Sequence, residues 1–227
     1  MEGIQQDNKI TMELIIIGAG GHAAEIQDYV CFYNDLQVKG GNKYIIKGFL
    51  DDNPKSYSQY QFNAPFLGDI KSHKVDEKLS YLVGIASVKY RRPIIEMFKN
   101  KQAKFITFIH PSAFVSKSSE IGEGVVIAPN VNIGPNVKIG KFNLINSRAS
   151  IGHDTSIGNF NFITPNVCFS GFTKIGDENM FGINSATIPN INVGSRNIIS
   201  AGMILDKNVN DDTTVFHRYK EKVFIIK

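Results

Sequence analysis

The chain has 227 residues, of which 42% are hydrophobic and 20% charged, and its formal net charge is +4 at pH 7. This composition excludes a disordered chain, and the 25 basic residues are too scattered for the concentrated stripe that nucleic acid requires. Two cysteines make no disulfide framework, and no secretory leader or membrane-length apolar run is visible. We therefore expect a cytoplasmic protein with no nucleic-acid or membrane partner.

Short apolar runs alternate with helical patterns over the first hundred or so residues. The predicted strands are ELIIIGAG, YIIKGFLDDNP, LSYLVGIAS and KFITFIHPS. The predicted helices are HAAEIQDYVCFYN and a part of VKYRRPIIEMFKNK that starts near Pro93. Strand-helix-strand alternation at these lengths predicts a small parallel sheet with helices packed on it, which is a Rossmann-like α/β domain over residues 12–110.

The second half of the chain repeats every six residues. The first position of each repeat is apolar except at Thr187: Val115, Ile121, Ile127, Ile133, Ile139, Ile145, Ile151, Ile157, Ile163, Phe169, Ile175, Phe181, Thr187, Val193, Ile199. A period of six fits neither a helix nor a flat strand, but three hexapeptides close one coil of a triangular solenoid. The glycine that often follows the anchor is expected to permit the backbone conformation of each corner. The pattern predicts a parallel β-helix over residues 111–210, followed by a tail over 211–227.

Six motifs in order resemble one group of hexapeptide acyltransferases. They are IIIGAGGHAAEI, GFLDDN, IHPSAFVS, IGEGVVIAPNVNIG, NSRASIGHD and GINSATIPN, from about residue 12 to about residue 210. The chain thus resembles the sugar acyltransferases of the sialic-acid O-acetyltransferase and UDP-4-amino-sugar N-acetyltransferase family. The resemblance implies a left-handed β-helix, a homotrimer, acetyl-CoA bound between adjacent β-helices, and a nucleotide sugar bound by the N-terminal domain.

His153 is the first catalytic candidate, because it stands in a long stretch without another histidine. Asp154 beside it can orient the imidazole, which is the arrangement expected for general base catalysis. On the residues alone, a solvent-facing corner histidine is an equally good interpretation. The resemblance implies that His153 is the general base, Asp154 its partner and Asn146 a polar residue near the acceptor. The alternative for Asn146 is an amide that stabilises a solenoid turn.

The acyl-donor site departs from the family pattern at one position. Many relatives carry a second histidine nine residues after the first, near the thioester, and Phe162 stands there instead. Phenylalanine donates no hydrogen bond, so a small acyl group other than acetyl stays open. The resemblance implies donor contacts at Phe162, Gly171, Ile183 and Ala201. No metal is expected, because a zinc enzyme on this fold would need three histidines and the repeats contain only His153.

The loop GAGGHA follows a strand and precedes a helix, so a dinucleotide site and a simple tight turn are both possible. The acidic residue expected about 20 positions later in a dinucleotide site is not clearly placed. The resemblance implies instead a nucleotide-sugar site made by six residues: Gly20, Gly21, His22, Asp51, Asp52 and Arg91. For Arg91, the default interpretation is a solvated surface position.

The leading hypothesis is CoA-dependent acyl transfer to the 4-amino group of a nucleotide-linked deoxy amino sugar, for surface glycan synthesis. One alternative is O-acetylation of sialic acid or another sugar, although a free sugar acid would require a cationic clamp in place of the two aspartates. Another is a non-catalytic nucleotide-sugar-binding scaffold. The tail VFHRYKEKVFIIK differs from that of relatives, and its His217, Arg218, Lys220 and Lys222 are either contacts to CoA phosphates or a solvated charge run.

Overall fold

A computed structural model describes residues 10–36 and 41–217. Its N-terminal unit is a parallel sheet in the order β2-β1-β3-β4 with helices packed against it. The elements of this unit are β1 Thr11–Ile17, α1 Gly21–Asp35, β2 Lys43–Leu50, α2 Pro54–Tyr57, β3 Ser80–Val83, α3 Val88–Asn100 and β4 Lys104–Phe105. The central strand β1 is aliphatic because its last four residues are covered on both sides of the sheet, none being more than 2% exposed. The predicted α/β class is confirmed.

Two of the predicted element boundaries are wrong. Helix α3 begins at Val88, so Pro93 lies inside it and not at its start. The segment KFITFIHPS does not form one strand but two: β4 completes the N-terminal sheet, and Phe108–Ile109 joins the solenoid. A single apolar run therefore crosses from one core to the other, and periodicity cannot show where it divides.

The rest of the described chain is a triangular solenoid of two-residue parallel strands. These strands are β5 Phe108–Ile109, β6 Phe114–Val115, β7 Glu120–Ile121, β8 Val126–Ile127, β9 Asn132–Ile133, β10 Lys138–Ile139, β11 Leu144–Ile145, β12 Ser150–Ile151, β13 Ser156–Ile157, β14 Phe162–Ile163, β15 Cys168–Phe169, β16 Lys174–Ile175, β17 Met180–Phe181, β18 Ala186–Thr187, β19 Asn192–Val193, β20 Ile198–Ile199, β21 Ile204–Leu205 and β22 Thr214–Val215. Equivalent residues pair across 18 positions, as Ile139 does with Ile121 and Ile157. The anchors of the hexapeptide repeat point inward and form one continuous core.

Three faces and three corners follow from this winding. We call the sheet β5-β8-β11-β14-β17-β20-β22 the first face, β6-β9-β12-β15-β18-β21 the second face and β7-β10-β13-β16-β19 the third face. The first corner joins the first and second faces, the second corner joins the second and third, and the third corner leads back to the first face. The second corner is therefore the edge of the prism opposite the first face.

The glycines after the anchors have a different role from the one expected. The positive-φ residue of each corner lies three positions after the anchor, as at Asp154 (φ 56) and Asn136 (φ 58). Gly152 has no positive φ, but a Cβ there would come within 2.7 Å of the Gly171 nitrogen in the next coil. Glycine is thus required because successive coils approach each other closely, and not because of the backbone angle.

The N-terminal unit covers one side of the prism. Outward residues of the first face, Phe108, Val126 and Leu144, are at most 1% exposed and pack with Leu14 and Ile16 of β1. At the third corner, the Phe142 ring lies 5.1 Å from that of Phe105. The second corner has no such cover within the described chain.

Candidate active site

His153 and Asp154 project from the second corner. The imidazole Nδ1 lies 2.8 Å from Asp154 Oδ2, and the two side chains are 54% and 36% exposed. An ionised carboxylate only accepts hydrogen bonds, so Nδ1 carries the proton and Nε2 presents a lone pair. Hydrogen bonds from His153 first and Asn136 second hold the pKa of the Asp154 carboxyl below its usual range. The hydrogen bond thus fixes the tautomer in which Nε2 is able to accept a proton.

Two neighbours in the adjacent coils contact this pair, and a third leaves space beside it. Asn136, one coil before, donates from Nδ2 to Asp154 Oδ1 at 3.1 Å. The Phe172 ring, one coil after Asp154, meets the imidazole edge-on with centroids 5.1 Å apart. A Cβ at position 171 would come 2.8 Å from His153 Nε2. Only glycine at that position leaves the basic nitrogen accessible to a ligand.

Asn146 lies at the first corner and is not brought to His153 within the chain. It is only 8% exposed, and its Oδ1 accepts a hydrogen bond from the Ser147 N–H at 2.7 Å. This geometry agrees with the alternative of an amide that stabilises a solenoid turn. A catalytic role for Asn146 stays a prediction.

The four residues expected to contact the acyl donor are distributed around the prism. Gly171 lies at the second corner beside His153, whereas Phe162 points outward from the first face. Ile183 and Ala201 stack at the first corner in successive coils, and both are exposed. One chain therefore does not gather these residues around one ligand.

The glycine loop of the N-terminal unit lies at the carboxyl end of β1, between β2 and β3. Gly18 has a φ of +109°, and a Cβ there would touch the Gly84 backbone at 2.9 Å, so this glycine makes a tight turn. Gly20 is the N-cap of α1 and receives no side-chain capping bond. Space around Gly20 is open, because no atom lies within 4 Å of a Cβ placed there. The exposed start of α1 is suited to an anionic group.

The two aspartates after β2 are bound to backbone groups. Asp51 Oδ2 accepts from the Ala19 N–H at 2.8 Å, and its Oδ1 accepts from the Asn53 N–H at 2.8 Å. Asp51 therefore braces the glycine loop with one oxygen and the turn after β2 with the other, and a ligand contact of Asp51 stays a prediction. Asp52 is exposed, and its Oδ1 accepts from the Ile70 N–H at 2.9 Å.

His22 is the side chain at this loop that a ligand fits best. Its Nδ1 lies 2.9 Å from Glu25 Oε2, and the side chain is 8% exposed. Its Nε2 is buried without a hydrogen-bond partner among the described residues. A buried polar nitrogen in this state is costly unless a ligand or water satisfies it.

The surface position considered for Arg91 is wrong, because the side chain is fully buried between the two units. Its Nη2 donates to the Phe142 carbonyl at 2.8 Å, and Nη1 lies 3.5 Å from the Asn161 carbonyl. Burial lowers the pKa of Arg91 to about 10, so the guanidinium remains charged at neutral pH. Arg91 joins α3 to the third corner and is not available to a nucleotide sugar.

A pocket that the sequence reasoning missed lies where α3 begins beside the first face. It has a volume of about 530 Å³. Its lining residues come from both units: Ala86, Ser87, Val88, Lys89, Phe162, Glu178, Met180, Arg196, Asn197 and Ile198. The sequence does contain a signal for this pocket. On the first face, the residue just before the anchor is apolar in successive coils, from Phe108 to Ile198. The lower three of these residues are covered by the N-terminal unit, while Met180 and Ile198 remain 37% and 50% exposed.

The pocket and the glycine loop lie on the side of the first face, whereas His153 lies at the opposite edge. Within one chain, the prism therefore separates His153 from the glycine loop and the pocket.

Comparisons with known proteins agree with this architecture. Residues 13–98 match the PglD N-terminal domain. The UDP-N-acetylbacillosamine N-acetyltransferase of Bacillus subtilis (strain 168) is 29% identical over 114 residues, and that match spans about half of each protein, 49% in both cases. The acetyltransferase domain of PglB from Neisseria gonorrhoeae FA1090, in complex with acetyl coenzyme A, is 26% identical with a TM-score of 0.78, and 90% of this chain and 95% of that chain are covered.

These likenesses agree with the resemblance of the chain to the hexapeptide-repeat sugar acyltransferases. PerB from Caulobacter crescentus, in complex with CoA and GDP-perosamine, shares the fold at 24% identity, with a TM-score of 0.77 over 89% of this chain and 92% of that chain. The fold shared with these structures confirms the left-handed β-helix that the family resemblance implied. In the described ranges, no helix is long and apolar enough to cross a membrane. The same ranges contain no group of three histidine, cysteine, aspartate or glutamate side chains placed to hold a metal.

Arg218, Lys220 and Lys222 of the tail lie outside the described residues.

Proposed function

We propose that this acyltransferase moves an acetyl group from acetyl-CoA to an amino group of a nucleotide-linked amino sugar, for glycan synthesis. The observation that carries the proposal is the exposed His153–Asp154 pair, whose tautomer is fixed and whose Nε2 faces the space left by Gly171. The named function of the relative from Bacillus subtilis supports the same reaction class, as do the CoA and GDP-perosamine bound to PerB from Caulobacter crescentus.

The proposed chemistry needs one base and no acyl-enzyme. His153 Nε2 accepts the proton that the acceptor amine loses as its nitrogen bonds to the thioester carbonyl carbon. The carbon–sulfur bond then breaks, and the proton held on His153 can pass to the leaving thiolate. Asp154 stabilises the imidazolium that exists between these two proton transfers.

We assign the nucleotide sugar to the unit over residues 12–110 and acyl transfer to the β-helix over 111–210. The diphosphate fits the start of α1 at Gly20 and Gly21, where no side chain caps the helix. His22 contributes its Nε2, which is buried without a hydrogen-bond partner among the described residues. Asp52 is the carboxylate left for the nucleoside, because Asp51 is occupied with the loop. The apolar pocket beside Phe162 fits the deoxy edge of such a sugar.

The division of the site between opposite sides of the prism supports a homo-oligomer, and the family resemblance favours a trimer. Each active site would combine His153 of one copy with the glycine loop of the next copy. Because acetyl-CoA and nucleotide sugars are made in the cytoplasm, the same proposal places the enzyme there.

The direct test replaces His153 with Ala and follows thiol release from acetyl-CoA with a panel of UDP-, dTDP- and GDP-linked amino sugars. Loss of general base catalysis is expected to lower kcat by roughly 10²- to 10⁴-fold. Lys138→Ala is the matched control, since Lys138 is an exposed outward residue of the neighbouring third face. Turnover that survives in His153→Ala would remove the mechanism. Absence of turnover in the wild type with every sugar would favour the scaffold hypothesis.

Mixed assemblies test whether the site is shared. Gly20→Asp places a carboxylate where the diphosphate should bind, yet the open space and the N-cap position tolerate it. Gly20→Asn is its uncharged control. His153→Ala and Gly20→Asp should each be inactive alone, whereas co-refolded mixtures should recover a fraction of wild-type turnover because some sites receive both intact halves. Mixtures as inactive as the parents would contradict a shared site.

A further inference from the structure

Tyr60 places its hydroxyl at the start of α1. A Cβ built on Gly21 would lie 2.9 Å from the Tyr60 hydroxyl oxygen, which is the atom nearest to that position. The Cα–Cβ bonds of a helix tilt toward its N-terminus, where the first N–H groups have no partner within the helix. The hydroxyl therefore lies at the positive end of α1. Because Tyr60 is 42% exposed, a ligand can reach it there.

The loop that carries Tyr60 is fixed to the same helix. Gln27, a buried residue of α1, donates from Nε2 to the Gln61 carbonyl at 3.0 Å. Its Oε1 accepts from the Asn63 N–H at 2.7 Å. The ring of Phe62, between these two residues, has its centroid 6.1 Å from that of Tyr60. Helix α1 therefore provides the anion-binding N–H groups and also holds the loop that brings Tyr60 to them.

The Tyr60 hydroxyl is not used for packing contacts between polar groups of the chain. In the described ranges, Tyr60 is hydrogen-bonded only through its backbone N–H, which donates to the Tyr57 carbonyl at 3.4 Å. His22 in the first turn of α1 has a side chain only 8% exposed, and its Nε2 also has no partner among the described residues. Two polar side chains without partners are thus found where a helix start favours an anion.

We infer that the Tyr60 hydroxyl donates a hydrogen bond to the diphosphate of the nucleotide sugar. This role rests on the proposed function, which places the diphosphate at Gly20 and Gly21. A hydroxyl that donates to an anionic oxygen makes a short, charge-assisted hydrogen bond, and a free amino sugar brings no phosphate to receive it. Tyr60 therefore favours sugars that carry a diphosphate. It contributes to substrate binding and takes no part in the proton transfer.

Tyr60→Phe is the direct test, because it removes one oxygen and keeps the ring. Calorimetric titration with UDP, dTDP and GDP should show a Kd raised roughly tenfold for the diphosphate that the wild type binds best. The KM for the matching nucleotide amino sugar should rise by the same factor, whereas kcat and the KM for acetyl-CoA should stay within about twofold. Tyr44→Phe is the matched control, since it removes a hydroxyl at the amino end of β2, away from the glycine loop.

Gly21→Ala tests whether the hydroxyl acts at the helix start. The added Cβ would displace the Tyr60 hydroxyl, whereas the ring carbon Cζ, at 3.5 Å, is at an ordinary contact distance. Gly21→Ala should therefore weaken diphosphate binding several-fold in the wild type and much less in Tyr60→Phe, since both changes remove the same contact. Alanine is favoured over glycine in a helix, so thermal unfolding should show that the variant is folded.

An unchanged Kd in Tyr60→Phe, or strictly additive effects of the two substitutions, would overturn the role of Tyr60. If amino sugars are still acetylated in that case, the proposed function stands without Tyr60. If diphosphate binding depends on Tyr60 but no amino sugar is acetylated, the role of Tyr60 stands and the proposed function fails. A wild type that binds none of the three diphosphates would contradict both.

Discussion

Two histidines occupy corners of the same solenoid in opposite surroundings. His110 at the first corner is 5% exposed, is stacked on Phe32 with ring centroids 5.1 Å apart, and has Nδ1 2.8 Å from Ser112 Oγ. His153 at the second corner has a half-exposed side chain paired with a carboxylate. The same kind of residue at the same kind of corner is packed where the N-terminal unit covers it, and accessible where nothing in the described chain does, which fits the catalytic role proposed for His153.

The two sides of the prism are expected to have different roles: residues on the covered side contribute to stability, and residues at the open corner contribute to reactivity. On the covered side, Arg91 and His110 lie in the interface between the two cores. Arg91 donates a hydrogen bond to a buried carbonyl, and His110 stacks on an aromatic ring. On the open corner, Asp154 and Asn136 direct the imidazole and bury little surface. Variants of the first set should change the free energy of unfolding, whereas variants of the second set should change turnover.

The largest effect on the covered side is expected for Arg91→Met. Methionine keeps much of the apolar stem but leaves the buried Phe142 carbonyl without the donor at 2.8 Å. An unsatisfied buried carbonyl costs about 1–3 kcal/mol, so denaturant unfolding should show a loss of that size. Arg92→Met is the matched control, because Arg92 is half exposed and solvent screens its ion pairs with Glu96 and Glu178. Equal stability of the two variants would contradict the role given to Arg91.

The corresponding variant on the open corner is Asp154→Asn. The amide has nearly the same shape, but it can donate to Nδ1 and so allow the tautomer in which Nε2 carries the proton. We expect kcat/KM to fall roughly tenfold or more, because the base is then misdirected. Thermal unfolding should be unchanged within error, and Lys138→Ala again serves as the control. A large loss of stability with normal turnover would reverse the assignment of the two sides.

The smallest effect is a pH dependence of stability from His110. Burial lowers the pKa of His110, so as pH falls below about 6.5 the unfolded chain takes up a proton before the folded chain does. The free energy of unfolding should therefore decrease with falling pH between about 6.5 and the folded-state pKa, and His110 should contribute nothing to the slope above that window. His110→Phe keeps a stacked ring and removes this term, so its slope should be shallower. The pKa of His73 is also lowered, by burial and then by Lys101, and its share of the slope should remain.

The sequence alone determined the solenoid, because an apolar anchor every sixth residue is compatible with no other regular backbone. The same repeat made His153 and Asp154 visible as interruptions, and the alternation of the first hundred residues indicated the parallel sheet. Residue patterns also sufficed to show a glycine loop at the end of β1. These features are local or strictly periodic, so each can be predicted from the sequence without knowledge of the tertiary contacts.

Tertiary structure decided which groups are free to act. Arg91 was expected near the ligand, but the docking of α3 buries its guanidinium against the third corner, and both Asp51 oxygens accept hydrogen bonds from backbone N–H groups. The apolar pocket beside Phe162 exists because the N-terminal unit reaches only part of the way up the first face. His153 and the glycine loop are separated because of the winding of the solenoid. The position of a residue within the 18-residue coil decides on which face or corner it lies. Which side chains are buried, and which side of the molecule each one lies on, depends on how the two units pack together. These properties could therefore not be predicted from the sequence.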